Sequence, residues 1–147
     1  MKKKRWLIIT VLLLLVSIGV NVYQYQTSQD EMTAAKTTDL TAMRGLLTEL
    51  AVRIGDEDAT DAEIKALAFS FNRTAVDLSD SKDLYPGGHA EFDFYQKTAR
   101  TLLTYVNNQN ITEMPIQQRD TVFQIIMSGL SSRDADFIEQ QIAQLDP

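Results

Sequence analysis

A mostly apolar run without charged residues dominates the first 25 residues. From Leu7 to Val22 the chain contains 16 residues without a charge. At about 1.5 Å per residue, a helix over residues 6–25 is about 30 Å long, which matches the hydrocarbon thickness of a bilayer. Aromatic residues flank the run on both sides, where amphipathic rings favour the membrane interface. The pattern predicts a transmembrane anchor. The residues assigned to it are Trp6, Leu7, Leu13, Val22 and Tyr23.

Basic residues lie on only one side of this run. Lys2, Lys3, Lys4 and Arg5 precede it, and no Lys or Arg follows until Lys36. Positive charge favours the cytoplasmic side of a membrane. These four residues therefore predict a single-pass protein of the cell membrane, with a cytoplasmic N-terminus, an extracytoplasmic C-terminal part and membrane lipid as a partner.

A cleaved signal peptide is the alternative interpretation of the same stretch. It would have a basic region, an apolar region over residues 7–16 and a small-x-small site at residues 17–19. However, Gly19 is a second-best residue before a cleavage point, and apolar residues continue through Val20 and Val22. The chain contains no cysteine, which excludes lipoprotein processing. We therefore favour a retained anchor over a secreted protein.

Beyond residue 38, apolar residues recur at helical spacing rather than alternating with period two. The predicted stripes are Leu40, Met43, Leu47, Leu50 and Ile54; Ile64, Leu67, Ala68, Phe71, Ala75 and Leu78; Phe92, Tyr95, Ala99, Leu102 and Val106; Val122, Phe123, Ile126 and Leu130; and Ala135, Ile138, Ile142 and Leu145. Such stripes are typical of helices with one buried face. The predicted fold is all-α, with the N-terminal transmembrane helix followed by a compact bundle of four to five amphipathic helices.

Residues that begin or end helices divide these stripes. Gly55 suits the end of the first stripe, and Thr60 with Glu63 forms a capping box at the start of the next. The strongest turn signal is residues 86–88, Pro-Gly-Gly. Pro115 suits the first turn of a helix.

The last helix is predicted to start at Ser131 or Ser132, with Asp134 in its first turn. The whole chain is then divided into a cytoplasmic tail (1–5), an anchor (6–25), a stalk (26–38) and an extracytoplasmic helical bundle (39–147).

Charge and cysteine content narrow the range of functions. The formal net charge is −6, but the four basic residues of the tail leave ten Lys and Arg against 20 Asp and Glu beyond it, a net charge of −10. An acidic body of this kind argues against nucleic acid as a partner. Without cysteine there are no disulfides, thiolate zinc sites or cysteine nucleophiles.

The acidic segment at residues 56–61 invites comparison with a calcium loop. In an EF-hand loop beginning at Asp56, the sixth position should be Gly and is Asp61, and the twelfth should be Glu and is Leu67. His89 and Asp93 share a helix face four residues apart, but they lack the further ligands that zinc requires. We expect no metal site and no cofactor.

Enzyme motifs are also lacking. No nucleophile elbow, zinc-protease motif, P-loop or dinucleotide-binding glycine motif occurs, so no catalytic residue is assigned and the protein is not expected to be an enzyme. A glycosidase-like carboxylate pair stays open, because 20 acidic residues offer many pairs.

A small helical body held at the outer membrane face suits a protein-interaction or regulatory module for an envelope or membrane protein. The apolar stripe from residue 40 to 54 has coiled-coil spacing over about two heptads, which favours bundle core over a coiled-coil dimer and leaves homo-oligomers open. The alternative function is a ligand-sensing bundle that acts through a membrane partner.

Overall fold

A computed structural model describes residues 2–79 and 89–145. The side chains of residues 2–5, 7–10 and 79 lie outside the described set, as does the predicted Pro-Gly-Gly turn at residues 86–88. The described helices are α1 (Lys2–Gly55), α2 (Asp61–Ser79), α3 (His89–Asn108), a short 3-10 helix (Ile111–Glu113), α4 (Ile116–Ser132) and α5 (Ala135–Leu145). No strand occurs among these residues, so the all-α prediction is confirmed.

The chain divides into two compact units, Met1–Ala35 and Lys36–Pro147. The described part of the first unit consists of the N-terminal portion of α1. The second contains the end of α1 and the remaining helices. The predicted limits of tail, anchor, stalk and bundle stay a prediction.

The core of the second unit contains most of the predicted stripe residues, together with buried residues outside the stripes such as Phe94, Tyr105 and Ile125. Its fully or almost fully buried members include Met43, Leu47, Leu50, Ile54, Ile64, Phe71, Phe92, Leu102, Val106, Val122, Ile126, Ile138 and Ile142. Residues at the margin of this core, such as Leu40, Phe123 and Leu145, are partly buried. The stripe from residue 40 to 54 is therefore bundle core, as its short length of about two heptads predicts.

Three helix pairs account for much of the packing. α2 packs along α3, and α5 packs against both α3 and α4. Between α2 and α3, the rings of Phe71 and Tyr95 meet edge to face with centroids 6.5 Å apart, a favoured arrangement for aromatic pairs. The 3-10 helix was not predicted from the sequence, and its Ile111 is fully buried.

The predicted start of the last helix at Ser131 or Ser132 is wrong. Both residues belong to the end of α4, where their hydroxyls donate to the carbonyls of Met127 and Ser128 at 2.8 and 3.0 Å. Serine is common at helix starts, but its hydroxyl can equally bond back to the preceding turn inside a helix. The serines therefore extend α4 instead of starting α5.

Asp134, not a serine, caps α5. One of its carboxylate oxygens accepts a hydrogen bond from the backbone N–H of Phe137 at 2.9 Å, which satisfies a donor at the helix start. The residue before it, Arg133, ends α4 in the left-handed conformation with φ 55°. Pro115 likewise lies one residue before α4, at its N-cap, rather than in its first turn.

Candidate functional site

The side chain of Asp56 ties the acidic loop after α1 to the end of that helix and to the loop backbone. One carboxylate oxygen of Asp56 lies 2.9 Å from Nη1 of Arg53, and the other accepts a hydrogen bond from the backbone N–H of Asp58 at 3.1 Å. Within the described residues no three His, Cys, Asp or Glu side chains are grouped so that they could hold a metal ion. The carboxylate of Asp56 therefore shapes the loop.

A buried arginine closes the C-terminal end of α1. Arg119 of α4 is only 4% exposed; its Nε donates to the carbonyl oxygen of Ile54 at 2.7 Å, and its Nη2 donates to the carbonyl oxygen of Asp56. Carbonyls at a helix end lack partners within the helix, and the dipole there favours a cation. Arg119 thus joins α4 to the end of α1.

Sequence reasoning missed Arg119. The signal was its position three residues before Val122, in register with Ile126 and Leu130 on the buried face of α4. An arginine on an apolar stripe is rare enough to indicate buried carbonyl partners.

The capping box at the start of α2 forms as predicted. The backbone N–H of Thr60 donates to the carboxylate of Glu63 at 2.8 Å, and the backbone N–H of Glu63 lies 3.3 Å from the hydroxyl oxygen of Thr60. These bonds, first the backbone one and then that from the hydroxyl, lower the pKa of Glu63 below its ordinary value of 4.5. The box is a structural element.

The start of α3 around His89 is tied to neighbouring helices by ion pairs of Glu91. His89 is the first residue of α3 and is exposed, and Asp93 is exposed one turn later. Between them, the carboxylate of Glu91 pairs with Nζ of Lys36 at 3.4 Å and with Nη1 of Arg133. Glu91 therefore connects α3 with α1 and with the corner between α4 and α5.

A second ionic cluster joins α3 to α5. Nζ of Lys97 pairs with the carboxylates of Asp136 and, at 2.7 Å, Glu139. These hydrogen bonds raise the pKa of Lys97 above its ordinary value of 10.5, with Asp136 the larger cause. Lys97 is thus a surface cation that is paired with two carboxylates of α5.

A groove of about 300 Å³ lies between α3 and α5, next to this cluster. It is lined by Arg100, Thr101, Thr104, Tyr105 and Asn108 of α3 and by Glu139, Ile142 and Ala143 of α5. Tyr105 and Ile142 are buried beneath it, while Arg100, Thr104 and Asn108 are exposed at its rim. The groove combines an apolar floor with a polar rim, as small-molecule sites do.

The predicted anchor residues whose side chains are described lie on α1 and are exposed: Trp6, Leu13, Val22 and Tyr23. The side chains of Leu7 and of the topology-determining residues Lys2, Lys3, Lys4 and Arg5 lie outside the described set. Among the residues described, no helix is both long and apolar enough to cross a membrane.

Comparison with known proteins identifies no relative. The chain matches no protein-family model, no curated protein and no solved structure.

Proposed function

We propose that the protein is a single-pass membrane protein whose helical bundle lies on the extracytoplasmic side and acts as a non-catalytic interaction or regulatory module. The partner would be another membrane or envelope protein. One observation carries the proposal: along residues 11–16 of α1 apolar side chains are exposed on every side of the helix.

Six consecutive large apolar residues, from Val11 to Val16, are each between 51% and 65% exposed. Successive helical residues are rotated by about 100°, so six of them cover more than a full turn. A helix that is apolar all round is stable where its surroundings are apolar as well. By contrast, the apolar stripes of α2 to α5 face the bundle core.

Lipid is the surrounding that best suits this segment. In the sequence no charged residue occurs between Arg5 and Asp30, and residues 7–22 of this interval are mostly apolar. A helix over residues 6–25, with aromatic residues near both ends, is about 30 Å long, which is about one bilayer thickness. The basic residues before the run favour a cytoplasmic N-terminus.

The interaction role rests on the surface of the bundle. The ionic clusters around Glu91 and Lys97 serve contacts between helices. The described large apolar side chains of the bundle that remain exposed are Val52 and Phe69, at 51% and 60%. An exposed aromatic ring is a frequent centre of protein–protein contacts.

Single-cysteine labelling tests the topology, because the natural chain has no cysteine to interfere. In intact cells, a membrane-impermeant maleimide should label Ser128→Cys, an exposed position on α4, and should label Lys3→Cys only after permeabilisation. N-terminal sequencing should find the basic tail still attached. A mature chain that begins at Val20 and is free in the medium would support the secreted alternative instead.

Site-specific photo-crosslinking tests the partner role. A benzoylphenylalanine at Phe69, in intact cells at native expression, should yield a discrete crosslinked species. The same probe at Gln140, an exposed position on α5, is the control and should not yield it. An excess of the Phe69→Ser variant, expressed without a photoprobe, should leave the yield of the crosslinked species unchanged, because this variant lacks the aromatic ring proposed to contact the partner. Recovery of the monomer alone from probes at both Phe69 and Val52 argues against a partner.

The alternative function, a ligand-sensing bundle that acts through a membrane partner, is favoured by the groove between α3 and α5. A sensor of this kind needs both a ligand and a crosslinked partner. Ligand binding without any crosslinked partner would indicate a binding protein instead.

A further inference from the structure

Arg100 lines the groove between α3 and α5 and has no anionic partner among the described residues. Seven other described Lys and Arg residues of the bundle are held by carboxylates or carbonyls: Lys36, Arg53, Lys65, Arg73, Lys97, Arg119 and Arg133. Besides Arg100, only Arg44 among the described cations of the bundle lacks such a contact. An unpaired arginine in an acidic domain, beside a groove, is therefore unusual within this molecule.

The rest of the groove determines which ligand would suit this arginine. Tyr105 and Ile142, each 4% exposed, provide an apolar floor, and Thr101 and Thr104 contribute hydroxyls. The one carboxylate among the described lining residues, that of Glu139, lies 2.7 Å from Nζ of Lys97, which it shares with Asp136. Arg100 is therefore the charged side chain of the described lining that has no opposite partner among the described residues.

We infer that the groove binds a small organic carboxylate, whose carboxylate pairs with Arg100 and whose apolar part lies against Tyr105 and Ile142. A guanidinium can bind a carboxylate through two parallel hydrogen bonds, which fixes its orientation. At about 300 Å³ the groove is at the small end of ligand sites and suits a metabolite-sized molecule rather than a lipid chain.

The position of the groove along α3 indicates that its ligand carries a single negative charge. Its lining extends from Arg100 to Asn108, the last residue of α3, where unpaired carbonyls give the helix end a partial negative charge. A phosphate or dicarboxylate would place additional negative charge towards that end. A monocarboxylate at Arg100 with an uncharged tail avoids this repulsion. The inference does not depend on the membrane anchor.

Ligand-observed saturation-transfer NMR on the full-length chain tests the proposal. The chain is held in lipid nanodiscs, with empty nanodiscs as the blank, or in buffer if it does not insert. The probe is 4-phenylbutyrate, and its charge-reversed counterpart is 4-phenylbutylamine. We expect saturable binding of the carboxylate and none of the amine.

Three variants locate the site. Arg100→Gln should weaken 4-phenylbutyrate binding at least about tenfold, as loss of a charge-assisted bidentate contact does. Ala143→Phe, at an exposed position of the lining, should weaken it by filling the groove. Arg44→Gln, which removes the other unpaired arginine, should bind like the natural chain. Circular dichroism establishes that each variant is folded.

Three results would overturn the inference. The first is no saturable binding of 4-phenylbutyrate to the natural chain. The second is equal binding of the amine. The third is an equal effect, or no effect, of the substitutions at Arg100 and Arg44.

Discussion

The Nε of Arg119 lies 2.7 Å from the carbonyl oxygen of Ile54, a residue 65 positions earlier in the chain. A second nitrogen of the same guanidinium donates to the carbonyl oxygen of Asp56. One buried side chain on α4 therefore satisfies two carbonyls at the point where α1 ends and the acidic loop begins. Because the bond to Ile54 is buried, removal of the donor of that carbonyl should be costly.

We expect Arg119→Met to lower the free energy of unfolding by about 3 kcal/mol, because two charge-assisted hydrogen bonds are lost and the buried carbonyl of Ile54 loses its donor. Arg119→Lys should recover only part of this, since an ammonium lacks the planar fork that reaches both carbonyls. Chemical denaturation followed by circular dichroism measures the effect. Arg44→Met, on the exposed face of α1, is the control and should change stability little. Equal losses for Arg119→Met and Arg44→Met would contradict this assignment.

Two glycines in helices should respond in opposite ways to the same substitution. A Cβ built on Gly129 would overlap Cγ1 of Ile138, whereas one built on Gly45 meets nothing within 4 Å. We expect Gly129→Ala to destabilise the bundle by about 1–3 kcal/mol, because α4 and α5 must separate or Ile138 must adopt a strained rotamer.

Gly45→Ala is the matched control. It should stabilise the protein by about 0.5–1 kcal/mol, because alanine loses less conformational freedom than glycine in a helix. The two melting temperatures should shift in opposite directions. If both variants shift the same way, the close contact between α4 and α5 at Gly129 is not as described.

Apolar periodicity predicted the helices because it depends only on which residues share a helix face. In the stripe that ends at Ile54 and in the one that ends at Val106, residues three or four positions apart are buried together, as the periodicity predicted. The capping box of Thr60 and Glu63 was predictable for the same reason, since its partners are three residues apart. Local patterns were sufficient for these features.

Features that depend on distant contacts were not predictable in this way. The bond from Arg119 to Ile54 requires α4 to lie across the end of α1, and the groove requires α3 and α5 to be neighbours. The start of α5 was misplaced because Ser132 and Asp134 are both good cap residues, and the sequence does not decide between them. The Arg119–Ile54 bond and the groove become visible only in the tertiary arrangement of the helices.

The hydroxyl of Thr98 on α3 is fully buried and finds no hydrogen-bond partner among the described atoms. A buried hydroxyl without a partner loses its hydration without compensation. We therefore expect Thr98→Val, which keeps the shape of the side chain, to raise the free energy of unfolding by about 1 kcal/mol. Thr104→Val, on the exposed face of the same helix, is the control and should have little effect. Destabilisation by Thr98→Val would indicate that the hydroxyl does have a partner.

The capping carboxylate should make stability depend on pH in the acidic range. The pKa of Glu63 is lower in the folded chain than its ordinary value of 4.5. The unfolded chain therefore takes up this proton more readily as the pH falls, so the contribution is complete above 4.5 and is lost as the pH drops through the lowered folded-state value. Melting temperatures of the natural chain and of Glu63→Gln should differ near neutral pH and converge in acid. A difference that stays constant across this range would rule out the carboxylate as the source.

Membrane insertion should fail when a charge enters the apolar segment of α1. Leu13 lies in the middle of the exposed apolar run, and an arginine at the centre of a transmembrane helix costs about 2.5–3.5 kcal/mol. Because residues 7–22 include Thr10, Ser17 and Asn21, the segment has little apolar surface in reserve. We expect Leu13→Arg to move a large fraction of the protein into the alkaline-carbonate supernatant, while Leu13→Val stays in the membrane pellet. Thr104→Arg adds the same charge to an exposed position of the bundle and should also stay in the pellet, which separates insertion from a general effect of charge. If all three variants are extracted to the same extent as the natural chain, the segment is not held by lipid.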